Sequence, residues 1–93
     1  MATIETRIYE GDRAKEILEN PVFVAVFADI EQELMNEWKQ SPARDQEGRE
    51  KLWQYLRMLD KIKSRLTTTL ETGTLAKLEL QHRQLIQYQP GTN

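Results

Sequence analysis

The side chains able to do chemistry in this chain are few, and their spacing decides against most of it. The single histidine, His82, has no second imidazole or carboxylate at metal-ligand spacing, and the chain has no cysteine, which removes thiolate nucleophiles, disulfides and Cys-ligated zinc. The four glycines stand apart at positions 11, 48, 73 and 91, so no glycine-rich phosphate loop exists. No serine lies near a plausible base. Asp29, Glu33 and Glu37 recur at every fourth position, a spacing that solvates one helix face more readily than it converges on a cation. These residues supply no catalytic set and no metal site. The expectation is a non-enzymatic protein without a cofactor, with His82 a half-buried residue on a helix face.

Two charged rows remain. Arg49, Arg57, Lys61 and Arg65 share one i, i+4 row with Trp53 interleaved, the strongest nucleic-acid signal present: a line of cations for a phosphate backbone and an indole to stack or anchor. The competing reading sets this row against acid, because like charges at i, i+4 repel and call for compensation. The acid is at hand in Asp29, Glu33 and Glu37, on this chain or on a neighbouring copy. The whole chain is asymmetric in the same sense. Residues 1–48 carry a net −6 and residues 49–93 a net +4, within a total of −2, so the halves can fold onto each other or meet head to tail.

These rows must be held by helices. Ninety-three residues, 30% of them charged and 39% hydrophobic, make one small domain with a single modest core. Phe23, Phe27, Ile30, Leu34 and Trp38 step by four, three, four and four, which predicts a helix over Pro21–Gln40 with Asn20 as its cap and Pro21 in its first turn. Ser41-Pro42 ends it. A polar connection over Ser41–Gly48 leads to a long helix from Gln46 or Arg49 to Thr72, with Asp45 as N-cap and Gly73 as its stop. Leu52, Leu56, Leu59, Leu66 and Leu70 form a near-heptad stripe on it, interrupted where Lys63 falls. That helix is longer than its partner, and the excess needs covering by the first helix, the C-terminal segment or another subunit.

The ends read as short flanking pieces. Ile4, Thr6 and Ile8 alternate, so residues 1–11 are expected as a flexible or swapped arm. Gly11-Asp12 opens a two-turn helix capped by Asp12, and Thr74 caps a last helix to about Gln87. Residues 88–93 are a tail. The fold class expected is therefore all-α: one domain over residues 1–93, an antiparallel hairpin of two long helices with short helices at both ends. No apolar run is long enough to span a membrane, and the N-terminus lacks a signal peptide's apolar stretch.

Trp38, Trp53 and Tyr55 flank the loop. Buried, they staple the turn; exposed, they mark an interface. The leucines Leu56, Leu59, Leu66 and Leu70 complete the expected protein-interface set, since a narrow apolar stripe on an over-long helix favours self-association or helix docking.

The passage Trp38-Lys39, Ser41-Pro42-Ala43-Arg44-Asp45 and Glu47-Gly48-Arg49-Glu50-Lys51-Leu52-Trp53, followed by Leu56, Leu59, Leu66, Thr72-Gly73 and Leu75-Ala76, resembles a family of small proteins of tailed bacteriophages and prophages, encoded among head and portal genes. The resemblance spans residues 12–80, and its most distinctive part is the loop-to-helix sequence from Pro42 to Trp53. It carries no catalytic assignment to any residue. It implies a role in virion structure or assembly, with copies of itself and other phage structural proteins as partners. The implied location is the host cytoplasm during assembly, and the virion remains open as a destination. Two alternatives stand beside it: a DNA-packaging accessory, akin to a small terminase subunit, that uses the basic row; and an inhibitor of a host protein that uses the acidic face.

Overall fold

The computed structural model describes residues 2–87 and contains three α-helices: α1 (Ile4–Glu19), α2 (Pro21–Gln40) and α3 (Gln46–Gln87). No strand occurs among the described residues. The tail at 88–93 lies outside them.

Short polar side chains set the boundaries. Thr3 caps α1, its Oγ1 accepting from the Thr6 amide at 3.1 Å. Asn20 serves two helices. Its amide donates to the Ile17 carbonyl at 3.2 Å, and its Oδ1 accepts from the Val22 and Phe23 amides at 2.9 and 3.2 Å. Pro21 follows in the first turn, where its missing N–H costs nothing. Asp45 caps α3 as expected, accepting from the Gly48 amide at 3.1 Å.

The N-terminal arm is corrected by the structure. Helix α1 begins at Ile4, with Ile4, Gly11 and Ala14 buried, so most of the expected arm is packed helix and Asp12 lies inside it rather than capping it. Ile4 and Ile8 share a face as well at helical i, i+4 spacing as Ile4, Thr6 and Ile8 do at strand spacing, and the helical period wins because Gly11 and Ala14 continue it. The expected stop at Gly73 is overturned too. Helix α3 runs unbroken through Gly73 and Thr74 for 42 residues, about 63 Å at 1.5 Å per residue, and there is no separate last helix. Thr74 bonds back to the Leu70 carbonyl at 3.2 Å instead of capping.

Both corrections have one cause. Gly11 and Gly73 face each other, so close that a Cβ on Gly11 would lie 2.7 Å from the Gly73 Cα and one on Gly73 would lie 2.8 Å from the Gly11 Cα. The absence of side chains lets α1 lie on α3 backbone to backbone, with Ala14 and Ala76 buried on either side. Each glycine gives up about 1 kcal/mol of helix propensity relative to alanine, offset by the close approach.

Contacts between the helices run in opposite chain directions. Arg7 meets Glu79 at 3.7 Å, Asp12 meets Lys77 at 2.6 Å, Glu31 meets Lys63 at 2.9 Å, and the end of α2 meets Arg49. Helices α1 and α2 together thus cover α3, and α1 takes up the excess length of the long helix. Along α3 the residues facing these partners keep a seven-residue spacing: Leu52, Leu59, Leu66, Gly73 and Leu80 in one row, Leu56, Lys63 and Leu70 beside it, all half-buried or buried. The resulting rod measures 76 × 25 × 19 Å, with a radius of gyration of 20.8 Å, against about 12 Å for a compact domain of this length.

Candidate interaction surface

Very little of this rod is core. Among the described residues, Ile4, Ala14 and Ala76 are the buried hydrophobic side chains, and α2 buries none of its residues. Fifteen large apolar side chains are exposed. The surface area is 7667 Å², where a compact protein of this mass shows about 5,600 Å². The surplus comfortably exceeds the roughly 800 Å² that one partner contributes to a standard protein interface.

The leucine stripe is not the free surface. Leu56, Leu59, Leu66 and Leu70 lie half-buried on the rows that face α1 and α2. The rows belong to the intramolecular seam because acids answer their lysines: Glu31 bonds Lys63 and Asp12 bonds Lys77. Hydrogen bonding by Lys77 holds the Asp12 carboxyl below its ordinary value of 3.8. Arg7, paired loosely to Glu79, keeps its Nε buried without a hydrogen-bond partner beside the glycine crossing.

What is free lies next to the seam. Tyr55, Met58 and Ile62 are 55%, 56% and 41% exposed. Two heptads further on, the same helix positions are Thr69, Thr72 and Ala76, half-buried or buried in the part of α3 that α1 covers. The face that α1 covers near the C-terminal end of α3 is therefore larger, more apolar and uncovered alongside α2. Tyr55 and Ile62 lie beside the leucine stripe by spacing alone, whereas Met58 is not marked by that pattern.

All three aromatics are exposed, Trp38 at 40%, Trp53 at 57% and Tyr55 at 55%. Trp38 staples the turn: the Arg49 guanidinium stacks 4.0 Å from its ring, while the Arg49 Nη1 donates to Ser41 Oγ at 3.0 Å and to the Ser41 and Trp38 carbonyls at 3.2 and 3.4 Å. A cation at the C-terminal carbonyls of α2 is favoured by the helix dipole.

Arg49 is thereby removed from the basic row, because the turn occupies it. Arg57, Lys61 and Arg65 stay exposed. Arg57 lies 5.7 Å from the Trp53 ring, and with Met58 and Lys61 these two line a shallow trough of 610 Å³ made of α3 residues alone. Asp29, Glu33 and Glu37 are likewise exposed. Among the described residues no ion pair joins the acidic row to the basic one, so the chain does not neutralise either row itself. A second apolar trough, 460 Å³, lies at the α1–α2 elbow between Ile17, Val22, Phe23, Val26 and Phe27.

His82 is exposed rather than half-buried, and no cluster of three potential metal ligands occurs among the described residues. None of their helices is long and apolar enough to cross a membrane. Comparison with protein-family models, with curated proteins and with solved structures gives no match to this chain.

Proposed function

We propose that this chain is a non-enzymatic structural or assembly protein: an antiparallel helical hairpin, folded from α1 and α2 against α3, that works as an oligomer by presenting helix faces and charged rows to other helices. The observation that carries the reading is the imbalance, among the described residues, between three buried hydrophobic side chains and fifteen exposed large ones. A rod with so little interior gains its missing burial, at roughly 25 cal/mol per Å² of apolar surface, by packing against other chains. The phage affiliation rests on the loop-to-helix residues Pro42–Trp53 and assigns the role to virion structure or assembly. Its test is immunodetection of the chain in purified virions and in head-assembly intermediates. Co-purification with either supports the assignment, and absence from both refutes it.

A second reading has an observation in its favour. Arg57, Lys61 and Arg65 form no ion pair among the described residues and flank exposed Trp53, the arrangement a nucleic-acid backbone would use. Binding of that kind falls steeply between about 50 and 200 mM salt. Absence of binding at low salt removes it.

A further inference from the structure

We infer that copies of this chain stack head to tail, the outer side of α2 in one copy, with Asp29 and Glu33, seated on the outer side of α3 in the next, with Lys61 and Arg65. The inference rests on the assembly reading and names the partner, a second copy of this chain, and the kind of contact, one that does not stop at two copies.

The Glu31–Lys63 bond, 2.9 Å long, marks the side of each helix that faces the seam. An α-helix turns about 100° per residue, so a residue two positions from a seam residue lies about 200° round the helix from it. Asp29 and Glu33 stand two positions either side of Glu31 and straddle the side of α2 opposite the seam. Lys61 and Arg65 stand two positions either side of Lys63 and straddle the side of α3 opposite the seam. All four are exposed and make no ion pair among the described residues. Acid and base thus occupy opposite outer sides of the α2–α3 pair. They do so at one height, because the helices run in opposite directions: Asp29 is level with Arg65, and Glu33 with Lys61.

That placement selects the symmetry. A two-fold contact needs one surface carrying both halves of each interaction, whereas complementary surfaces on opposite sides make a head-to-tail contact that closes into a ring or continues as a filament. A second copy displaced sideways, with no shift along the rod, brings Asp29 against Arg65 and Glu33 against Lys61. The antiparallel α2–α3 register within one chain is then repeated between chains, and the self-repulsion of each pair at i, i+4 spacing is relieved. Val26, three residues before Asp29, and Met58, three residues before Lys61, are exposed and extend the two outer stripes with apolar surface. The area suffices for two contacts per copy. The surface exceeds that of a compact chain by about 2,000 Å², and each standard contact takes roughly 800 Å² from one partner.

Charge exchange tests the arrangement. The double variant Asp29→Lys with Glu33→Lys has two basic sides, and Lys61→Glu with Arg65→Glu has two acidic sides, so neither stacks on itself, while an equimolar mixture restores every contact in alternation. All four positions are exposed, and circular dichroism verifies that each variant is folded. Sedimentation at low salt is expected to show a wild type whose mass grows with concentration past the dimer, association weakened about tenfold or more in each variant alone, and recovery in the mixture. A wild type that stops at the dimer, variants that associate as tightly as the wild type, or a mixture that fails to recover overturns the stack and leaves assembly through another face standing. A wild type that stays monomeric overturns the assembly reading with it; binding of single-stranded DNA by that monomer, lost in Lys61→Glu with Arg65→Glu, then assigns the basic side to nucleic acid.

Discussion

The glycine crossing offers a prediction in which two effects have opposite signs. Gly73 lies within a 42-residue helix, where alanine is favoured over glycine by about 1 kcal/mol on propensity alone. Its replacement by alanine, however, would put a methyl group 2.8 Å from the Gly11 Cα and 2.9 Å from the Arg7 carbonyl oxygen, where ordinary contact begins near 3.4 Å. Both neighbours are backbone and neither can rotate away, so α1 must lift by roughly 0.5–1 Å along its most closely packed stretch. Overpacking of this kind costs about 1–3 kcal/mol. After the propensity gain of about 1 kcal/mol, Gly73→Ala is expected to destabilise the fold by up to about 2 kcal/mol, with the middle of the range near 1, which lowers the melting temperature by about 4–8 °C per kcal/mol in a domain of this size. Gly11→Ala should act alike, because its methyl group meets Gly73 at 2.7 Å. Thr68→Ala, at an exposed position of α3, is the control for propensity without packing. Melting followed by circular dichroism at one fixed chain concentration decides the matter, since association also moves the midpoint. A higher midpoint for Gly73→Ala would show that propensity alone governs the site and that the close crossing does not exist.

Arg49→Ala should cost about 1–2 kcal/mol, because it strips the end of α2 of a charged hydrogen-bond donor; urea denaturation measures the loss, and a changed emission of Trp38 reports the removed guanidinium. Its removal should leave any DNA affinity nearly unchanged, as Arg49 is spent on the turn, whereas Arg57→Ala should weaken such binding; a filter or anisotropy titration separates the two. The Asp12–Lys77 contact depends on pH in a fixed direction. Because the Asp12 carboxyl is held below 3.8, the stability it contributes is present above that value and is lost as pH falls through the lower folded value. The melting difference between wild type and Asp12→Asn should therefore close as pH drops below about 4, and a difference that persists unchanged into stronger acid would contradict the assignment.

The sequence made the central half of the fold legible and concealed its ends. Asn20-Pro21, Ser41-Pro42 and Asp45 are local signals, and each boundary they mark is present because the cap needs only nearby atoms. Gly11 and Gly73 are local signals of the same apparent kind that mean something else. Glycine stops a helix when the next turn has nothing to gain, and stays inside one when another backbone takes the place of its side chain; that partner lies 62 residues away and leaves no trace in the local pattern. The same distance hides the role of Lys63, which looks like an interruption of an apolar stripe until Glu31 is brought to it, and that of Lys77, which meets Asp12. The leucine stripe is half-buried against α1 and α2, and periodicity locates such a face without saying which helix covers it. Arg49 stood in a row with Arg57, Lys61 and Arg65 by spacing, yet its proximity to the turn gave it different work.

The rod of α1, α2 and α3 is proposed to be incomplete alone. Light scattering on the full chain, coupled to size separation at micromolar concentration, tests that claim most directly. A mass at a multiple of 11.0 kDa, falling toward the single-chain value on dilution or added salt, is the predicted result; a folded species that stays at the single-chain mass at every concentration contradicts it.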